Sequence, residues 1–119
     1  IQYALTYPSR SPSPVKGIVF SELKKLHFHK PDFKKFPCLE LAYEAASLGR
    51  SYPSVLNASN EIAVAEFLKG RIRFTDIPKT IEKVLRSHKP ARNIALRDIL
   101  EADKWARHKT KERLGVISS

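Results

Sequence analysis

Two amides and a carboxylate interrupt an apolar run at residues 55–70, VLNASNEIAVAEFLKG. Side chains of these types bind ligands or cations, or they form hydrogen bonds within a fold. On a helix the spacing of Asn57, Asn60 and Glu61 lets all three side chains meet. Asn60 also falls on the apolar stripe, where an unpartnered buried amide costs about 1–3 kcal/mol. We therefore predict that the three residues form a structural polar tie to the backbone of a neighbouring loop.

A direct contact between these side chains and a ligand is the alternative interpretation. Metal binding by Glu61 is a weaker one, because a hard cation prefers several oxygen ligands and the NASNE segment offers one carboxylate. We expect no catalytic, cofactor-binding or metal-binding residue in this chain.

Two histidines could form half of a metal site, because strand alternation would place His27 and His29 on one face. Zinc requires three or four ligands, however, and His88 and His108 lie in unrelated helical segments. We interpret His27 and His29 as exposed residues of a basic arm.

Three acids, Asp98, Glu101 and Asp103, lie close together in the last helical segment. A pair of carboxylates can act as acid and base, but Arg97 and Arg107 lie at ion-pair spacing from them. We predict a surface network of ion pairs at this helix.

A single cysteine, Cys38, excludes an internal disulfide. It precedes an apolar helical pattern and has no thiolate-stabilising neighbour in the sequence, so we expect a small buried hydrophobe. None of the four glycines opens a phosphate-binding turn. Arg71 and Arg73 are expected to flank a short connection.

The composition fits one globular domain. The chain has 119 residues, of which 42% are hydrophobic and 29% charged, and its formal net charge is +10. This charge makes a basic helical nucleic-acid-binding module the alternative hypothesis. Many basic residues lie beside acids, so we interpret the charge as a solvated surface and do not expect nucleic acid as a partner. No apolar run approaches the roughly 20 residues of a membrane span, and no membrane partner is expected.

Four segments with helical periodicity follow one another, at residues 36–49, 54–70, 73–88 and 93–115. Glycines are placed to end three of them, at Gly49, Gly70 and Gly115. The apolar stripe of the first segment is predicted to comprise Leu39, Ala42, Tyr43, Ala46 and Leu48. The stripe of the third is predicted to comprise Ile77, Ile81, Val84 and Leu85.

The residues before these helices have a different character. Prolines are frequent at residues 7–17, and the following run is β-prone, with alternation near Leu26 and Phe28. The predicted fold is mainly α, with an extended linker and short β segments at residues 1–35. A four-helix bundle-like domain at residues 36–119 follows it.

Several motifs together resemble the carboxy-terminal part of the 1-deoxy-D-xylulose 5-phosphate reductoisomerase family. They are IQYALTYP, FPCLELAYEA, VLNASNEIAVAEFLKGRIRFTDI and DILEADKWAR, and the resemblance runs from Ile1 to about Leu114. Because the chain begins without Met, we also expect it to be a piece of a longer protein.

The resemblance implies a parent enzyme that rearranges and reduces 1-deoxy-D-xylulose 5-phosphate to 2-C-methyl-D-erythritol 4-phosphate in non-mevalonate isoprenoid biosynthesis. It implies a homodimer that uses NADPH and Mg or Mn, in the bacterial cytoplasm or a plastid. The amino-terminal and catalytic domains of the same enzyme would be the partners of this chain. The family's catalytic and metal-binding residues precede Ile1, so the resemblance implies an inactive supporting piece.

Overall fold

The computed structural model describes residues 1–13, 15–23 and 25–116, and they form two compact units, Ile1–Lys30 and Pro31–Ser119. The described part is all-helical, which confirms the mainly α prediction. No helix in it combines the length and hydropathy that a membrane crossing requires. In chain order the helices are α1 (Gln2–Thr6), α2 (Phe20–Leu23), α3 (Pro37–Leu48), α4 (Tyr52–Leu68), α5 (Asp76–Ser87) and α6 (Leu96–Leu114).

The first unit contains α1 and α2, which the sequence did not predict. Gln2 Nε2 donates to the carbonyl oxygen of Pro12 at 2.9 Å, and the Arg10 guanidinium lies 4.6 Å from the centre of the Tyr3 ring. The described residues of this unit contain no strand, because Phe20 begins a helical turn and residues 25–30 are irregular. The predicted short β segments are therefore not seen. An alternating segment forms a strand only where a neighbouring strand can pair with its backbone.

Helix α4 lies at the centre of the second unit and contacts α3, α5 and α6. Its buried face carries small side chains, including Ala58, Ser59 and Ala63, all fully buried. The buried face of α6 is also made of small residues, among them Ala106 and Thr110. Small side chains allow helix axes to approach closely, which explains why the contact between α4 and α6 is the most extensive.

The apolar face of α5 is the one that the sequence predicted. Ile77, Ile81, Val84 and Leu85 are all buried. Charged residues occupy the other side of this helix, so periodicity identifies a single possible core face.

The prediction of which side of α3 faces the core is wrong. Leu41 and Ala45 are buried, whereas Leu39 and Tyr43 of the predicted stripe are exposed. Helix α3 has apolar residues on both sides, so periodicity alone could not decide which side faces the core.

Cys38 is exposed, which contradicts the expectation of a buried hydrophobe. It lies in the first turn of α3, one turn before the burial of the helix begins at Leu41. Partial burial still raises the pKa of its thiol, so Cys38 has no property of an activated nucleophile.

The predicted helix ends are confirmed. Gly49, Gly70 and Gly115 have φ values of 63°, 71° and 67°, in the left-handed region that favours glycine. Pro37 occupies the first turn of α3, where a missing backbone N–H leaves no hydrogen bond unmade.

Substitution of Ile81 by alanine tests the core. We expect Ile81→Ala to lower the free energy of unfolding by about 2–5 kcal/mol, because it removes buried methyl groups and leaves a cavity. Urea denaturation followed by circular dichroism measures the change. Leu68→Ala is the control, since Leu68 is 77% exposed and Ile81 only 2%. Equal midpoints for the two variants would contradict this account of the core.

Candidate functional site

Two of the three residues that were predicted to form a polar tie, Asn57 and Glu61, belong to a hydrogen-bonded group that joins α4 to α6. Asn57 Nδ2 donates to Glu61 Oε1 at 2.8 Å, and Arg107 Nη2 donates to Glu61 Oε2 at 2.7 Å. Arg107 also donates through Nε to Asp103 Oδ2 at 2.8 Å. Helical spacing therefore correctly brings Asn57 to Glu61, but the contact beyond α4 is a guanidinium on another helix and not a loop backbone.

Asn60 does not join this group by a hydrogen bond. It is half-buried, and its amide makes no side-chain hydrogen bond within the described part of the chain. The fully buried polar residue of α4 is its neighbour Ser59, whose Oγ donates to the carbonyl oxygen of Val55 at 2.7 Å. The Asn60 amide is thus left with hydrogen-bonding capacity that these helices do not use.

The charges of the tie stabilise each other. The pKa of Glu61 is lowered by hydrogen bonds from Arg107 and then from Asn57. The pKa of Arg107 is raised by hydrogen bonds to Asp103 and Glu61. A carboxylate whose pKa is lowered stays ionised near neutral pH and is a poor general base. This arrangement holds two helices together and is poorly suited to proton transfer.

A buried acid, Glu66, lies at the end of α4. Glu66 accepts hydrogen bonds from Lys69 at 2.8 Å and from Arg71 at 2.9 Å, and these lower its pKa. Arg73 pairs in the same way with Asp76 at 3.2 Å. Arg71 and Arg73 lie within the short connection between α4 and α5 and do not flank it, and acids hold both side chains.

The acids of α6 form the ion pairs expected from their spacing. Glu101 accepts a hydrogen bond from Arg97 at 2.7 Å, and Asp103 pairs with Arg107. Asp98 instead accepts a hydrogen bond from the backbone N–H of Ala95 at 2.8 Å and so caps the start of the helix.

Sequence reasoning missed a cluster around His88, which follows the end of α5. Its Nε2 lies 2.8 Å from Ser51 Oγ, and its ring packs against Tyr52 and Trp105 with centroid distances of 5.1 and 5.3 Å. Burial lowers the pKa of His88. The four residues come from three separate segments, so the only local signal was a histidine beside a helix end.

The cluster borders a cavity of about 390 Å³ that also reaches Asp98 and Glu101. A serine beside a neutral histidine could suggest a nucleophile and its base. Ser51 is only 2% exposed, however, and no carboxylate in the described part of the chain accepts a hydrogen bond from His88. This contact therefore locks the start of α4 to the end of α5.

The two histidines of the arm lie side by side. The rings of His27 and His29 are stacked with centroids 6.5 Å apart, and both residues are exposed. Residues 1–13, 15–23 and 25–116 contain no group of three or more His, Cys, Asp or Glu side chains that could hold a metal ion.

The fold and contacts define a small helical domain whose polar side chains mostly connect helices and helix ends. A sequence model of the family described as the DXP reductoisomerase C-terminal domain matches residues 1–109. The chain belongs to this family.

Two similar curated proteins are each called 1-deoxy-D-xylulose 5-phosphate reductoisomerase. The protein from Endomicrobium trichonymphae is 50% identical over 117 residues, which are 98% of this chain and 30% of that protein. The protein from Citrifermentans bemidjiense is 53% identical over 116 residues, which are also 98% of this chain and 30% of that protein. The chain thus spans about 30% of the length of the curated relatives it matches.

Solved structures show the same likeness. The reductoisomerase from Zymomonas mobilis in complex with NADPH has a TM-score of 0.81 at 37% identity, covering 98% of this chain and 31% of that one. A DOX-P reductoisomerase in complex with magnesium has a TM-score of 0.78 at 34% identity, covering 99% and 32%. The comparisons give no support to the nucleic-acid-binding alternative.

The burial of His88 predicts a loss of stability at mildly acidic pH. Because its pKa in the folded chain is lowered from 6.5, the unfolded chain binds the proton more readily. The contribution of neutral His88 is complete above about pH 6.5 and is lost as the pH falls towards the lowered value. We expect the urea midpoint to fall between pH 7.5 and about 5.5, before the acids titrate.

The variant His88→Gln keeps a group that can bond to Ser51 but removes the titration. It should therefore show a flatter dependence of the urea midpoint on pH in this range. Identical pH profiles for the variant and the parent chain would show that His88 is not responsible.

Proposed function

We propose that this chain is the supporting C-terminal domain of a 1-deoxy-D-xylulose 5-phosphate reductoisomerase and contributes no catalytic group. The longer enzyme would make 2-C-methyl-D-erythritol 4-phosphate with NADPH as reductant. The observation that carries the proposal is the family match over residues 1–109, combined with a span of about 30% of the relatives. Groups that react must be held in place by a rigid surrounding structure, which a packed helical domain can supply.

We assign the cofactors, NADPH and Mg or Mn, to the parts of the longer enzyme outside this chain. NADPH and magnesium are named with the solved relatives. The state of most acids in this chain supports the assignment, because ion pairs with arginine or lysine already occupy eight of the twelve. These acids are Glu44, Glu61, Glu66, Asp76, Glu82, Glu101, Asp103 and Glu112.

Residues 1–35 would form the arm that connects the helical domain, residues 36–119, to the amino-terminal and catalytic domains. We propose that the alternating segment near Leu26 and Phe28 becomes a strand only when it pairs with a strand of those domains. We further propose that the longer enzyme is a homodimer located in the bacterial cytoplasm or a plastid.

A chimera tests the proposed function. The matching C-terminal 30% of the Endomicrobium trichonymphae relative is replaced by this chain, and NADPH oxidation is followed with substrate and Mg²⁺. We expect turnover by the chimera and none by the 119-residue chain alone. The relative cut off before this domain serves as the control and should lose turnover. Turnover by the isolated chain, or an inactive but folded chimera, would contradict the proposal.

Asn60→Leu tests whether the polar tie extends beyond the helical domain. In the isolated chain the change should leave the melting temperature almost unaltered, because the Asn60 amide has no partner among the described residues. In the chimera it should cost about 1–3 kcal/mol of stability, because a partner there would lose its hydrogen bond. The Mg²⁺ concentration for half-maximal activity should not move. A changed metal dependence without a loss of stability would instead indicate a direct catalytic role.

A further inference from the structure

Helix α3 has two apolar sides, and the other helices of the second unit cover only one of them. Leu41 and Ala45 are buried against the rest of the domain. Its only charged residues are Glu40 and Glu44, in a chain with a net charge of +10. A helix that is apolar on all sides is normally buried on all sides.

The uncovered side forms a continuous row, which we call the α3 outer stripe and define as Phe36, Leu39 and Tyr43. Leu39 and Tyr43 lie four residues apart on one face of α3, and Phe36 is the residue immediately before the helix. Phe36, Leu39 and Tyr43 are 62%, 37% and 63% exposed. Phe33 packs edge-on against Tyr43 with ring centroids 6.1 Å apart and extends the stripe. The stripe and Phe33 together present three aromatic side chains and one leucine. Such a group is typical of the apolar centre of a protein interface.

Two other places with exposed apolar side chains in the second unit lack this character. Leu96 and Leu100 lie on α6 beside the ion pair of Arg97 and Glu101. Phe74 already packs against Phe67, with ring centroids 5.7 Å apart. The α3 outer stripe is therefore the stronger candidate for a docking surface.

We propose that the α3 outer stripe is the surface on which the preceding part of the same longer polypeptide docks. This inference rests on the proposed function, since the occupant is the portion of the reductoisomerase that this chain does not include. The curated relatives are about three times as long as the chain, so a large domain surface is available to cover the stripe.

The path of the chain supports this occupant over others. Residues 31–36 lead into α3, and within them Phe33 touches Tyr43 on the stripe. The chain therefore enters the helical unit along this face, and any part of the longer polypeptide before Ile1 is tethered to it through residues 1–30, which raises its effective concentration. Phe36, Leu39 and Tyr43 are uncharged, and Lys34 and Lys35 lie beside the start of the stripe, so the centre of the stripe is matched to an apolar surface.

Hydroxyl-radical footprinting of the isolated chain and of the chimera tests the proposal. We expect the labelling of Tyr43 to fall by about fivefold in the chimera, because a central interface aromatic becomes almost fully desolvated. Leu100, which is 54% exposed in the chain, is the matched reference and should keep its labelling. The readout does not require turnover, so it stays separate from the test of the proposed function.

Charged substitutions provide the second measurement. Tyr43→Lys should leave the melting temperature of the isolated chain unchanged but make residues 1–35 of the chimera more sensitive to proteolysis. Leu100→Lys should change neither the melting temperature of the isolated chain nor the sensitivity of the chimera to proteolysis. Unchanged labelling of Tyr43 in an active chimera would overturn the docking surface while leaving the proposed function intact. An isolated chain that forms a dimer, and returns to a monomer with Tyr43→Lys, would also overturn it by making a second copy the occupant.

Discussion

The close contact between α4 and α6 is the constraint on which the rest of the helical unit depends. Ala58 and Ala63 on one helix and Ala106 on the other are fully buried. Two hydroxyl residues share this surface, and each satisfies its own hydroxyl by donating to the carbonyl oxygen four residues earlier, Ser59 to Val55 and Thr110 to Ala106. They therefore pack as small side chains that need nothing from the opposite helix. A larger residue at any of these positions would separate the helices and disturb α3 and α5, which pack on the same α4.

The distribution of charge follows from this tightly packed centre. Small apolar and hydroxyl side chains fill the space between α4 and α6, and the acids lie at the edges of the helices, where arginine or lysine pairs with them. Glu61 pairs with Arg107 across the two helices, and Glu66 pairs with Lys69 and Arg71 at the turn after α4. The exposed pair of Glu61 with Arg107 contributes little energy by itself. The main consequence of the ion pairs is chemical, because these paired carboxylates are unsuited to proton transfer or to holding a cation.

Sequence reasoning succeeded where one local rule decided the outcome. The i, i+4 spacing brings Asn57 to Glu61, and the single apolar face of α5 identifies its own core side. Sequence reasoning failed where residues far away in the sequence determine a contact or the burial of a side chain. Arg107 lies 46 residues from Glu61, and no local pattern could select it as the partner. The two apolar sides of α3 made periodicity ambiguous, and the exposed side was chosen as the core. The alternating segment near Phe28 lacks the neighbouring strand that it requires.

The failures on α3 and on the arm have a common physical cause. In each case the sequence has features of burial or strand pairing, such as the aromatic side chain of Tyr43 and the alternation at Leu26, that the described residues do not use. Natural sequences tend to be locally consistent with their complete structure. These conflicts at several places, beside a well-packed core, are consistent with the docking surface proposed above. The rigid pairing of α4 with α6 would then hold the outer side of α3 in a fixed orientation towards the rest of the longer polypeptide.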